Sequence, residues 1–431
     1  MTSVFKDMAH SPYWWDAAPR PVSEKVELPG RIDVAIVGAG FSGLHAALVQ
    51  ARAGKSVMLF EAGRLGYGAS TRNGGMVGPS FHKLGVLGMK QAYGEERANA
   101  ILRQSLGFVE FLDGFLKEEG IECQFRRNGR FRGALRPEHF DTMARQLETL
   151  RTACGVEGHM VAKADQREEI GSDLFHGGIV YNTDGGLHPG LYFDGLVACA
   201  RAAGVTIAAE TPVTGVERVT GGFNISCPRG SVRAEQVAIC TNGYTGDLTP
   251  QFRRRILPIR TAMIATEALP AEVMDRLFPK DRVTGDSRRI VAYYRRSPDG
   301  TRVLFGGRAA STADKPLVNA KLLRRQLIEV FPELENVKIS HSWSGLVAYT
   351  FDHVPHLGEM DGLYYAMGYC GSGVARASFF GRKLGLKMLG SEEGATPFDD
   401  LPFNGRPLYN GTPWFMPAML AWHRVADKLG L

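Results

Sequence analysis

The stretch DVAIVGAGFSGLHAALVQARAGKSVMLFEAG, residues 33–63, runs from an apolar β-branched segment through a glycine turn into a helical segment, and out into a second apolar run. Residues 33–37 have the composition of a strand buried on both faces, and residues 38–43 follow at once as GxGxxG. In that pattern Gly38 permits a tight turn, Gly40 lets the backbone approach a pyrophosphate, and Gly43 lets the following helix lie close on the strand. Phosphates placed there meet the free N–H groups and positive dipole end of a helix N-terminus. Gly54 ends the helical composition of residues 44–53, and residues 56–60 form the second strand. Glu61 closes it about 20 residues after the glycines, where a carboxylate accepts hydrogen bonds from the ribose of an adenosine. A lone GxGxxG is weak, because glycine turns recur in soluble proteins. The whole unit in register predicts a dinucleotide site.

At 431 residues the chain exceeds what one hydrophobic core organises, so two domains are expected. Its glycine content, about 12 % against a usual ~7 %, points to tight backbone approaches rather than disorder. The net charge of +6 is mildly basic and spread along the chain. The densest run, Arg253-Arg254-Arg255, reads as solvated surface, with an anion site as the alternative, and no nucleic-acid partner is expected. Six cysteines are widely spaced with no CxxC and no Cys/His cluster, which argues against a metal. No signal-like leader and no run of membrane-spanning length are present, so a cytoplasmic location is expected.

Further along, residues 92–119 read as a helix with Ile101, Leu102, Phe108, Phe111, Leu112 and Phe115 on one side. Residues 129–135 read as a strand, and 137–151 and 189–203 as helices. Residues 236–240 read as a buried strand ending in Thr241-Asn242-Gly243. RRIVAYYRRSPDGTRVLFGGR, residues 288–308, is the clearest hairpin, two strands joined by Ser-Pro-Asp-Gly, and belongs to an antiparallel sheet. Residues 363–367 return to the buried-strand pattern, followed by the glycine turn 368–373 and a helix. A chain that starts and ends in one parallel sheet, with an antiparallel sheet between, implies an α/β (α+β) fold with discontinuous domains. The expected boundaries are 1–88, 148–245 and 337–431 for a Rossmann-like nucleotide domain, and 89–147 and 246–336 for a substrate domain. The segment PWFMPAMLAWHRVADKLGL, residues 413–431, is amphipathic and is expected to dock on its own domain or on a second subunit.

A nicotinamide dehydrogenase with one phosphate turn would leave GYGASTRNGGM, residues 66–76, without a role. Its small residues, Ser70, Arg72 and Asn73, suit the passage of a longer cofactor. The second glycine turn opens another helix. A flavin laid against that N-terminus would have its N1/O2 edge facing N–H groups that stabilise the charge developing on reduction.

The 34–61 unit, GYGASTRNGG, GGLHPG, YYRRSPDGTRVLFGG, WSGLVAYTFDHVPHLG and GYCGSGVARASFFGRKLG follow one another in an order that resembles the D-amino acid oxidase superfamily of FAD enzymes. The likeness is greatest to the γ-glutamylputrescine oxidase branch, including the aromatic lead SPYWWDAAPRP. The resemblance implies non-covalently bound FAD and a small-molecule amine or N-substituted amino acid as substrate. Hydride would pass from the CH–NH carbon to flavin N5, leaving an imine that water hydrolyses. The FAD contacts so implied are Gly38, Gly40, Phe41, Ser42, Gly43, Glu61, Gly68, Ala69, Ser70, Arg72, Asn73, Gly74, Gly75, Met76, Val213, Thr241, Asn242, Gly243, Gly345, Gly371, Ser372, Gly373 and Val374. Leu304 stands where sarcosine oxidases of the superfamily place a Lys over the flavin, Ala375 where they place a carboxylate-binding Lys, and Val347 where their covalent flavin cysteine lies. An electron acceptor other than O2 therefore stays open beside O2. So do a D-amino acid or sarcosine-type enzyme and a non-catalytic flavin-binding protein.

On the substrate side, Tyr293 and Tyr294 point to opposite faces of a strand, and Tyr294 is expected to face the flavin. Arg308 is expected to hold a substrate carboxylate with its two-pronged guanidinium, a surface ion pair being the alternative. Tyr349 and Trp343 are expected as cavity lining or as core aromatics. His188 is expected as loop scaffold, Cys370 is a candidate for covalent attachment, and Asp352 and His353 are strand-end hydrogen-bonding groups.

Overall fold

Val34, Ala35 and Ile36 are almost wholly inaccessible to water, because Arg31–Val37 is a central strand covered on both faces. The computed structural model describes residues 3–79, 84–288, 292–309, 313–416, 419 and 422. Arg31–Val37 pairs in parallel with Val57–Phe60 on one side and with Gly230–Ile239 on the other. Thr206–Ala208 and Leu363–Met367 continue the parallel order outward. His356–Met360 closes one edge antiparallel, and Gly215–Val219 and Gly222–Cys227 form a meander on Gly230–Ile239. Helices Phe41–Arg52, Pro189–Ala202 and Gly373–Met388 pack together on one face, where Leu44, Tyr192, Phe379 and Phe380 join the same apolar core.

The second sheet has eight strands, the first three being Ile339–Tyr349, Leu257–Thr266 and Val303–Arg308. Tyr293–Arg296, Val283–Asp286, Arg130–Gly133, Gly178–Tyr181 and Gly158–Val161 follow in that order. The hairpin lies where the sequence puts it, its turn held by Ser297 N–H to Arg302 O at 2.8 Å and Gly300 N–H to Ser297 O at 2.8 Å. Side chains alternate across this sheet. Ala262, Ile264, Tyr294 and Phe305 face helix Pro316–Val330 and its Leu323 and Leu327. The opposite face carries Met263, Tyr293 and Trp343 in one hydrogen-bonded row with Gly306. It looks toward the parallel sheet.

The expected domain boundaries need correction at three places. Gly158–Val161, Gly178–Tyr181 and Ile339–Tyr349, all assigned from the sequence to the nucleotide domain, hydrogen-bond in the second sheet, which is antiparallel except where Val283–Asp286 pairs in parallel with Arg130–Gly133. Apolar alternation marks a strand but not its sheet, which only long-range pairing decides. Most of the C-terminal amphipathic segment lies outside the described residues.

Candidate functional site

The glycines of the first turn are there for want of space. A Cβ on Gly43 would stand 2.0 Å from Gly38 O, and one on Gly38, whose φ is +107°, would stand 2.8 Å from Cys240 O. Gly40 precedes helix Phe41–Arg52 without a side-chain cap, and the Phe41 N–H donates to Ser70 Oγ at 3.1 Å. Ser42 Oγ meets Tyr369 Oη at 2.5 Å, fastening this helix to the segment before the second glycine turn. Glu61 accepts the Ala39 and Gly63 N–H groups at 3.1 and 3.0 Å. Burial raises its pKa, and those two N–H groups oppose the rise. The Thr211 N–H donates to Glu61 O, which brings the segment carrying Val213 alongside.

Thr241-Asn242-Gly243 follows the strand beside Gly38, and Asn242 Oδ1 accepts the Gly368 N–H at 2.9 Å, tying the two glycine turns together. Ser372 opens helix Gly373–Met388 without a side-chain cap. A Cβ on Gly371 would stand 3.3 Å from Tyr349 Oη, so this turn abuts the antiparallel sheet. Gly38–Gly43, Glu61, Thr241–Gly243 and Gly371–Val374 thus meet beyond the carboxyl ends of four parallel strands, the place where open α/β sheets bind ligands.

Residues 68–76 cross from that edge to the antiparallel sheet. Asn73 shapes the loop, its Nδ2 donating to Ala69 O and Ser70 O and its Oδ1 accepting the Gly75 N–H. Arg72 is a pin. Its Nη1 donates to Ser344 O at 3.0 Å, beside Gly345, and its guanidinium lies 4.9 and 4.4 Å from the Trp15 and Tyr67 ring centres. Trp343 Nε1 donates to Arg72 O, Trp14 Nε1 to Asn73 O at 2.8 Å, and Trp15 Nε1 to Thr71 Oγ1. The buried Arg295 donates to Gly75 O and Leu187 O at 2.9 and 3.0 Å. Burial lowers its pKa to about 10. Met76 pairs with Gly186 across a short antiparallel bridge.

The sequence expectation for Tyr294 is corrected. Tyr294 stacks on Phe305 at 5.2 Å and meets Phe331 edge-on, inside the helix-side core. Its neighbour Tyr293 is the residue over the loop, since a Cβ on Gly74 would stand 3.2 Å from its ring. Strand alternation separates the two tyrosines, but only the packed helix shows which way each points. Tyr293 bonds to Thr261, and burial pushes its pKa up to about 12. Leu304 lies on the same face as Tyr293, buried in a cluster with Tyr13, Trp14, Met263, Ala265 and Trp343 against which Tyr293 packs. Arg308 and Tyr349 share the face of Tyr293, as the register pairs Arg308 with Thr261 and Thr261 with Gly345. Among the described residues Arg308 has no ion pair, and its buried Nη1 has no hydrogen-bond partner.

Other expected residues serve as scaffold. His188 Nδ1 caps helix Pro189–Ala202 by accepting the Leu191 N–H at 3.1 Å, and burial lowers its pKa to about 4. Asp352 is held by His356 at 3.0 Å. Cys370 donates its Sγ–H to Gly368 O at 3.1 Å, and burial raises its pKa, so the thiol is kept neutral. Trp14, Trp15, Tyr293 and Arg295 were not singled out as site residues. The local signals for them are the Trp pair in SPYWWDAAPRP and, for Tyr293, the strand alternation that sets it opposite Tyr294.

A dinucleotide fits what these residues offer: two uncapped helix N-termini, turns with no room for a Cβ, and a half-buried carboxylate at the end of the second strand. The chain belongs to the family described as FAD dependent oxidoreductase, whose model matches residues 33–385. It is 32 % identical over 427 residues to a probable oxidoreductase OrdL of Rhizobium meliloti, covering 96 % of this chain and 97 % of that one. It is 30 % identical over 404 residues to the γ-glutamylputrescine oxidoreductase of Escherichia coli, covering 93 % of each. Among solved structures, glycine oxidase from Geobacillus kaustophilus superposes with a TM-score of 0.72 at 21 % identity, over 88 % of this chain and 99 % of that one. This is therefore an FAD-dependent oxidoreductase with the glycine-oxidase type of fold. No helix among the described residues is long and apolar enough to cross a membrane, and no group of side chains there could hold a metal ion.

Proposed function

We propose that the protein oxidises the CH–NH bond of an amine bearing a carboxylate, an N-substituted amino acid or a γ-glutamyl amine, to an imine that water hydrolyses. The observation that carries this is Arg308, a guanidinium that forms no ion pair among the described residues, on the sheet face that looks toward the cofactor loop. Relatives named γ-glutamylputrescine oxidoreductase, glycine oxidase and opine oxidase support the substrate class. FAD, when bound through the turns at 38–43, 68–76, 241–243 and 371–374, supplies the acceptor for the hydride leaving the substrate carbon.

The chain's own part is placement and electrostatics. Arg308 anchors the carboxylate by a two-pronged contact, while Tyr293 and Tyr349 wall the amine. Expulsion of hydride needs the free amine lone pair. A fixed cation beside it disfavours the ammonium form, and Tyr293 stays protonated as a neutral donor at all ordinary pH. The electron acceptor is O2 or a separate carrier.

An anaerobic titration of the FAD-loaded protein with N-methyl amino acids, γ-glutamylated amines, polyamines and D-amino acids tests the reading. Bleaching near 450 nm by a carboxylated amine, weakened roughly 10- to 100-fold in half-saturating concentration by Arg308→Met, is expected. A flavin that no amine reduces would refute it. Peroxide formed on admitting air separates the two acceptors.

A further inference from the structure

The face of the antiparallel sheet that carries Tyr293 also carries four arginines. Two are satisfied: Arg130 by Asp184 at 3.2 Å, and Arg295 by the carbonyls of Gly75 and Leu187. Arg308 is one of the others. The last is Arg132, which the register sets in one row with Gly285, Tyr293 and Gly306. Arg132 is half-buried and, among the described residues, forms no ion pair; its one hydrogen bond runs from Nε to Asp286 O at 3.3 Å. The Asp286 carboxylate, which attracts Arg132, is paired with Arg288 Nε at 2.8 Å. Burial lowers the Arg132 pKa.

Between Arg132 and Tyr293 the floor is Gly285, where among the described residues an added Cβ would meet Ala292 O at 3.4 Å. The Tyr293 ring folds the other way, over Gly306, where a Cβ would stand 2.2 Å from it. Gly285, Tyr293 and Gly306 therefore lie in the row between the two arginines, neither of which forms an ion pair among the described residues. With strands about 4.8 Å apart, three strand spacings and two residues along the strand put their Cα atoms roughly 16 Å apart. Arginine side chains are long enough to close much of that gap. Asp286 lies near enough to attract Arg132, but neither arginine forms an ion pair among the described residues, and a ligand with a carboxylate for each would offset the cost of burying both.

Building on the proposed amine oxidation, we infer that Arg132 is a second carboxylate anchor and that the substrate is a dicarboxylate, an N-substituted acidic amino acid. The FAD-loaded unmodified protein should bind glutarate roughly 10- to 100-fold more tightly than pentanoate, which has the same chain with one carboxylate. Perturbation of the flavin absorption bands reads the binding without turnover. Arg132→Met should bring glutarate affinity down to that of pentanoate, and N-methylglutamate should exceed N-methylnorvaline in kcat/KM in the unmodified protein only. Equal affinities for glutarate and pentanoate in the unmodified protein would overturn the inference, whether or not the variant folds. Preferential glutarate binding with no amine able to reduce the flavin would leave Arg132 as an anchor and remove the amine chemistry instead.

Discussion

Replacing Trp14 by Phe tests how the cofactor loop is held. Trp14 is fully buried, and its Nε1–H is donated to Asn73 O at 2.8 Å, next to the glycines over which Tyr293 lies. The phenyl ring keeps most of the packing but leaves the Asn73 carbonyl without a donor, at a cost of about 1–3 kcal/mol. The lost part of the indole adds about 1 kcal/mol of unfilled space. The sum, roughly 2–4 kcal/mol, falls on a contact between the chain start and residues 71–75, so it should appear twice. Urea unfolding should show reduced stability, and fluorescence titration should show FAD bound at least about tenfold more weakly. Trp15→Phe is the comparison: Trp15 is half-buried and donates to Thr71 Oγ1, which itself bonds Gly66 O, so about 1 kcal/mol is expected. A Trp14→Phe protein that loses stability but binds FAD as before would show that the tryptophan packs the core without positioning the loop. Unchanged stability would refute the energetic reasoning itself.

Tyr293→Phe should alter the rate of flavin reduction by amine in stopped flow, whereas Tyr294→Phe should leave that rate unchanged and affect only stability. Gly43→Ala brings a methyl within 2.0 Å of a backbone oxygen, and the purified protein should emerge colourless or unfolded. His45, buried against Tyr192 Oη at 2.9 Å, has a pKa lowered to about 3 by burial. Below pH 6.5 the unfolded chain takes up a proton there that the native chain refuses, so stability falls by up to about 1.4 kcal/mol per pH unit between 6.5 and 3. Asp184 and Asp286, raised to about 6 by burial, work the other way between pH 3.8 and 6. His45→Gln should therefore flatten the acid limb of a stability-against-pH curve measured by urea unfolding, by about one proton.

How much of this was legible beforehand depended on how local the physics is. Gly38, Gly40, Gly43 and Glu61 could be read because one short strand-turn-helix-strand unit contains every atom that makes them necessary. Asn242 reaches Gly368 only through the tertiary fold, yet both sit at ends of apolar runs, so their segments were marked. Tyr293 and Tyr294 show where reading stops: a period of two sets them on opposite faces, and nothing nearby says which face meets the helix. Arg132 and Arg308 look like any charged residues on alternating strands. That neither forms an ion pair among the described residues is decided only after distant strands have paired.

The anchoring of the amino-terminal aromatic segment carries one more implication, for the order of events during synthesis. Tyr13 Oη bonds Asp299, and Asp16 pairs with His341. The segment carrying Tyr13 and Asp16 can settle into these contacts only after residues 299 and 341 have emerged. Until then the turn at 71–75 hangs without its clasp, and the nascent protein is a poor captor of its prosthetic group. Cofactor capture is thereby deferred until residue 341 has been made, and deletion of residues 11–15 should yield a product that folds around its sheets yet is isolated pale.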